Sequence, residues 1–150
     1  VRANSELVAV AWVGSLPDLL PAMVSTTLPE DTSKWESTGF ITIGNGSGGV
    51  IGGSPNPNLA LRNPVVSLHS WAIAAGSSKP PWGKSAQLLE HVIAGTYDED
   101  DLRRLLLLPT GYPMCSVLEA YPLSEPRRIP GDEGAYAHFQ MDLQLHWVEL

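Results

Sequence analysis

An α+β fold is what this sequence predicts: a mostly antiparallel four-stranded sheet with helices packed on one face and two long loops. Three observations carry that expectation. The final stretch "YAHFQMDLQLHWVEL" (136 to 150) alternates without a break, Phe139, Met141, Leu143, Leu145 and Trp147 against His138, Gln140, Asp142, Gln144 and His146. Period-two alternation belongs to a strand with one covered and one polar face. Two further stretches read as helices, one apolar nearly all round and one with Ala86, Leu89 and Ile93 on a single face. The elements run helix, strand, strand, helix, strand, strand, an order that suits one layer of helices on one sheet.

The first helix begins at Asn4 or Ser5, either of which can cap it, with Glu6 placed against the helix dipole. "LVAVAWV" (7 to 13) then covers most of the circumference with apolar side chains, and Gly14 and Pro17 end it. A helix apolar on nearly every side wants burial on more than one side, so a subunit contact through Leu7, Val8 and Trp12 is expected beside the core. The same run falls far short of the ~20 residues that cross a bilayer. With Glu6 in its flank it is also a poor leader peptide, so a buried helix in an intracellular protein is expected, with no membrane partner.

"GFITI" (39 to 43) is β-branched and aromatic, hence a strand. "GNGSGGVIGGSPNPN" is the first long loop, and "NPVVSLHSWAIAA" (63 to 75) is the second strand. The second helix follows, with Ala86, Leu89 and Ile93 on one face, Leu88 and Val92 beside them, and Gly95 as its stop. "DEDDLRRLLLL" (98 to 108) reads as a helical turn and "MCSVLEAY" (114 to 121) as the third strand. "PLSEPRRIPGDEGA" (122 to 135) is the second loop. The terminal strand extends ~40 Å at ~3.3 Å per residue. One domain, residues 1 to 150, accommodates all of this.

Composition narrows the function. With 43% hydrophobic and 17% charged residues the chain is built to fold. Its 9 Lys and Arg against 16 Asp and Glu give −7, a poor balance for gripping a phosphate backbone. The single cysteine, Cys115, rules out an internal disulfide and a cysteine-based zinc site.

Two glycine motifs raise nucleotide chemistry and fail on context. Gly83-Lys84-Ser85 lacks the glycine five residues before Gly83, where Ser78 stands. Pro80, Pro81 and Trp82 obstruct a loop whose backbone N–H groups must wrap phosphates. Helix docking is the expected use, with Ser85 as cap and Trp82 toward the core. Gly44, Gly46 and Gly49 satisfy G-x-G-x-x-G, but the motif must open a helix and "VIGGSPNPN" cannot form one. Ser47 lacks the glycine at position 45 of a nucleophile elbow. His69, His91, His138 and His146 show no H-x-x-x-H spacing, and His138 and His146 lie ~26 Å apart on one strand. Asp98 to Asp101 lack the glycine of a calcium loop. No catalytic residue, cofactor or metal ligand is assigned. The competing enzymatic reading uses His69 or His138 with Asp142 and requires a concave pocket with a strongly shifted histidine. A further alternative is a monomeric binding module.

The pattern of elements resembles the tail terminator (tail completion) proteins of long-tailed bacteriophages, particularly those infecting actinobacteria. The resemblance lies in the first helix and the "LPED" approach to "FITIGNGSGG", in "NPVVSLHSWA" leading to "KSAQLLEHVIAGTYD", in the Pro/Arg loop "YPLSEPRRIPGDEGAYAHF", and in the alternating terminal strand. It implies a virion structural protein that forms a hexameric ring on the head-proximal end of the tail tube, ends its polymerisation and joins the tail to the neck, without enzymatic activity. The expected partners are other copies of the chain, the tail tube protein and a neck connector. DNA passes through the lumen without specific binding, which six copies at −7 each suit by repelling a polyanion. Arg127, Arg128 and Asp132 on the second loop are the expected partner contacts, because arginine forks onto carboxylates and is enriched at interfaces. A head-tail adaptor or head completion ring is the nearest alternative.

Overall fold

The computed structural model of the chain describes residues 3–45, 50–51, 61–74, 80–130 and 136–150. Helix α1 spans Ser5–Gly14, and Asn4 Oδ1 accepts the Leu7 N–H at 2.9 Å to cap it. Strands β1 (Val24–Ser25), β2 (Phe40–Asn45), β3 (Val50–Ile51), β4 (Leu61–Asn63) and β5 (Val65–Ile73) follow. Helix α2 (Trp82–Tyr97) precedes β6 (Leu105–Leu106), β7 (Cys115–Pro122), β8 (Arg127–Arg128) and β9 (Tyr136–Glu149).

The four-stranded, mostly antiparallel sheet expected from the sequence is not what forms. The nine strands of the described residues join one mixed sheet, in which β1 runs parallel to β2. The extra strands are two or three residues long: β3 and β8 lie in stretches that read as loops, β4 at the end of one, and β6 in a stretch that reads as a helical turn. A pair of ladder residues is too short to show any periodicity, so pairing with a neighbour creates them rather than local sequence. β6 is the clearest case. "RLLLL" fits a helix as well as a strand, but Leu105 and Leu106 pair with Ser116 and Cys115, and only a 3-10 turn at Glu99–Asp101 remains of the expected helix.

β9 is the axis of the sheet. On one side it pairs with β5 from Tyr136 to Gln144 and then with β4; on the other it pairs with β8 and β7. Its odd-numbered residues from Met141 to Trp147 are fully or almost fully buried, together with Val66 and Leu68 of β5 and Ile41 and Ile43 of β2 beyond it. Both helices lie on this face. α2 sends Ser85, Leu88, Leu89, Val92 and Gly95 inward, the i, i+3, i+4, i+7 stripe of a half-buried helix. Gly95 does not end the helix. It lets Leu16 approach so closely that an added Cβ would stand 2.7 Å from Leu16 Cδ2.

α1 explains its own lack of polarity. It touches β1 and β2 near one edge of the sheet and β6 and β7 near the other. The sheet therefore curls around it, and the helix fills the trough. Val8, Ala9, Trp12 and Val13 are completely buried within the chain. Three polar bonds fix its position: Trp12 Nε1–H donates to the Asp101 carbonyl at 2.8 Å, Trp147 Nε1–H to Ser5 Oγ at 3.1 Å, and Arg104 Nη2 to Ser15 Oγ at 2.7 Å.

Candidate functional site

The opposite face of the sheet, which neither helix covers, carries the densest polar cluster among the described residues. Strand alternation puts Ser67, His69 and Trp71 of β5 there, and the antiparallel register sets them beside His138, Gln140 and Asp142 of β9. A continuous chain of hydrogen bonds results. Arg127 Nε–H donates to Gln140 Oε1 at 2.8 Å; the Gln140 amide donates to Ser67 Oγ at 3.0 Å and to Asp142 Oδ1 at 2.9 Å. Ser67 Oγ lies 3.2 Å from His69 Nε2, and His69 Nδ1 lies 2.7 Å from His138 Nε2. Either tautomer of His69 serves both of its contacts, because the hydroxyl and the second imidazole can each donate or accept. The His138 ring stacks on Trp71 at 3.8 Å between centroids, and Trp71 Nε1–H donates to Thr42 Oγ1 at 3.0 Å.

Burial sets the electrostatics. It pushes His138 down to about 4, with His69 adding to the effect. Burial also lowers His69, against the pull of the Asp142 carboxylate and with a smaller push from Arg127. Both imidazoles are therefore neutral near pH 7, and one proton suffices for the bond between them. Unfolded histidines bind protons below their ordinary value near 6.5 while these do not, so stability is full above that value and declines as pH falls from about 6.5 toward 4. With both rings partly solvated, the loss is expected to be about 1–2 kcal/mol. Urea unfolding between pH 7.5 and 4.5 measures it, and a His69→Asn, His138→Asn variant should lose that part of the slope.

The cluster has the residue types of a hydrolase and lacks the geometry. Ser67 and His69 are in contact, but His69 turns its other nitrogen to His138 rather than to Asp142. Ser67 sits mid-strand between Gly44 and Asp142, where neighbouring strands engage the backbone donors that an oxyanion would need. Its Oγ is held by Gln140. The histidine shift required by the enzymatic alternative is present, yet it lowers basicity, and the rings lie on a sheet face. Two imidazole nitrogens converge, but no group of three or more His, Cys, Asp and Glu suited to a metal occurs among the described residues.

The remaining candidates fall in separate places. Arg127 and Arg128 occupy a two-residue strand, so they point to opposite faces: Arg127 onto the polar cluster, Arg128 over the Trp82 ring at 4.3 Å. Asp132 lies outside the described residues. Val8 and Trp12 belong to the chain's own core, while Leu7 is only half-buried. The Gly-Lys-Ser run docks α2 from within its first turn rather than capping it. Ser85 is fully buried and shares its one hydroxyl proton between the Ser70 and Ala137 carbonyls, and Lys84 Nζ donates to the carbonyls of Glu36 and Ser37. In the second glycine motif, Gly46 and Gly49 lie outside the described residues, and strand β3 stands where a helix would have to open. Sequence reasoning missed the His69–His138 pair. The signal was two alternating strands, each carrying a histidine on its polar set, but their register was not written in either.

The fold and cluster define a curled mixed sheet plugged by one helix, with a fixed polar face. No family model matches the chain, and no curated protein matches it. Among solved structures, it is similar to a chain of the "Virion of native gene transfer agent (GTA) particle", at 14% identity over 99% of this chain and 87% of that one, with a TM-score of 0.46. A likeness that distant carries no argument about function.

Proposed function

We propose that the chain is a structural subunit of a phage virion, acting at the tail-neck junction as a ring that ends the tail tube and joins it to the head. The supporting observation is the continuous hydrogen-bond chain from Arg127 to His138. The side chains in it hold one another in place, so the face offers a fixed shape. With its histidines neutral, this face presents only Asp142 and Arg127 as charges in the cluster, on a chain of −7. Depletion of charge with aromatic residues is the composition of an interface centre. The resemblance of the element order to tail terminators supplies the particular role, a hexamer with DNA passing through it.

On this reading Arg127, held by Gln140, and Arg128, held over Trp82, meet acidic groups of the partner from the two faces of the sheet edge. Reversing both to glutamate is expected to abolish head joining while rings still form and still cap purified tubes. Electron microscopy of tails assembled with the variant checks it. Normal yields of complete particles would remove the two arginines from the account, and a wild-type protein that never caps tubes would remove the role itself.

A further inference from the structure

One surface plays no part in the polar cluster. The outward stripe of α1, Leu7, Val10 and Ala11, forms the floor of a groove walled by Pro21 on one side and by the β6 segment on the other. A solvated helix normally shows polar residues on this stripe; here it is apolar. Beside the groove stands a ridge: Leu105 is 59% exposed and Leu107 81% exposed. β6 pairs only with β7 among the described residues, so its other edge has unspent backbone groups, a template for a further strand. The two ends of the patch differ in charge. Glu6 lies at the α1 N-terminus, and Arg104, bonded to Ser15, lies at the other end.

We propose that this patch is the contact surface for a second copy of the chain, docked across a two-fold axis. The patch carries both halves of its own complement. Turned through two-fold symmetry, the Leu105–Leu107 ridge of each copy enters the groove of the other, and Glu6 of each copy faces Arg104 of the other. A partner of net charge −7 is repelled elsewhere but meets almost no charge here, apart from that matched pair. Two-fold pairing closes on itself and does not propagate around an axis. It is therefore a state of the free chain, separate from the ring, and does not rest on it.

Sedimentation of the purified chain, at its highest soluble concentration, is expected to show two copies, and Leu107→Glu to show one. Leu107 is exposed enough that this variant keeps its fold, which circular dichroism checks. Cross-linking tests the geometry. In a mixture of Ala11→Cys and Leu107→Cys chains, a short bismaleimide is expected to give mixed dimers, because groove and ridge of different copies meet. Cys115 is fully buried and stays silent. A wild-type monomer, a dimer indifferent to Leu107→Glu, or an oligomer without mixed cross-links would each overturn the proposal. Tube capping by any of these variants reads the ring independently.

Discussion

Trp12→Ala is expected to lower the free energy of unfolding by about 4 kcal/mol, the upper range for deleting a buried aromatic side chain. Trp12 is completely enclosed, and its indole N–H satisfies the Asp101 carbonyl at 2.8 Å. Alanine leaves a cavity in the middle of the trough and removes that buried carbonyl's donor, so the packing and polar losses add. Against a total stability of about 5–15 kcal/mol, such a loss leaves many domains marginal at 37 °C. Leu7→Ala on the outward stripe is the control and is expected to cost less than about 1.5 kcal/mol. Urea denaturation of both variants separates a helix that plugs its own sheet from one held by a neighbour. Equal costs at the two positions would contradict the trough.

Gly39→Ala is expected to be the next most damaging change, at about 2–4 kcal/mol. Gly39 has φ +81, and a Cβ there would stand 2.7 Å from Leu88 Cδ1 and 3.2 Å from the Trp71 carbonyl. The backbone strain and the collision act together, at the point where the chain turns into β2 under α2. Leu88→Ala in the same background should recover part of the collision and none of the strain. Thermal melts of the single and double variants measure the split. Without any recovery, contact with Leu88 is not what makes the site require glycine.

What was legible in the sequence follows physical range. α1 with its Asn4 cap, α2, β2, β5, β7 and β9 are carried by local periodicity and by β-branched or turn-forming residues, and these were readable. The strands at the edges were not, because two residues become a strand only when a neighbour offers a ladder. The case of α1 is instructive. A helix apolar all round needs cover on several sides, which the sequence states correctly, but a curled sheet supplies that cover as well as a second subunit does. Val8 and Trp12 therefore went to the core. The polar cluster was half visible: alternation put His138, Gln140 and Asp142 on one face. Their meeting with Ser67, His69 and Trp71 depends on a register between strands about seventy residues apart.

The placement of β9 bears on how the chain comes into being. Every other strand except β1, β2, β3 and β6 is bonded directly to β9, yet β9 is the last of them to leave a ribosome. Until residue 136 and its successors emerge, β5 has lost one of its two neighbours, while β4, β7 and β8 have no central strand to join. Trp147 is not yet present to reach back to Ser5. Completion of the sheet thus waits on a long-range closure, slow by the measure of sequence separation, and a chain cut short before residue 136 lacks the strand that joins β4, β5, β7 and β8.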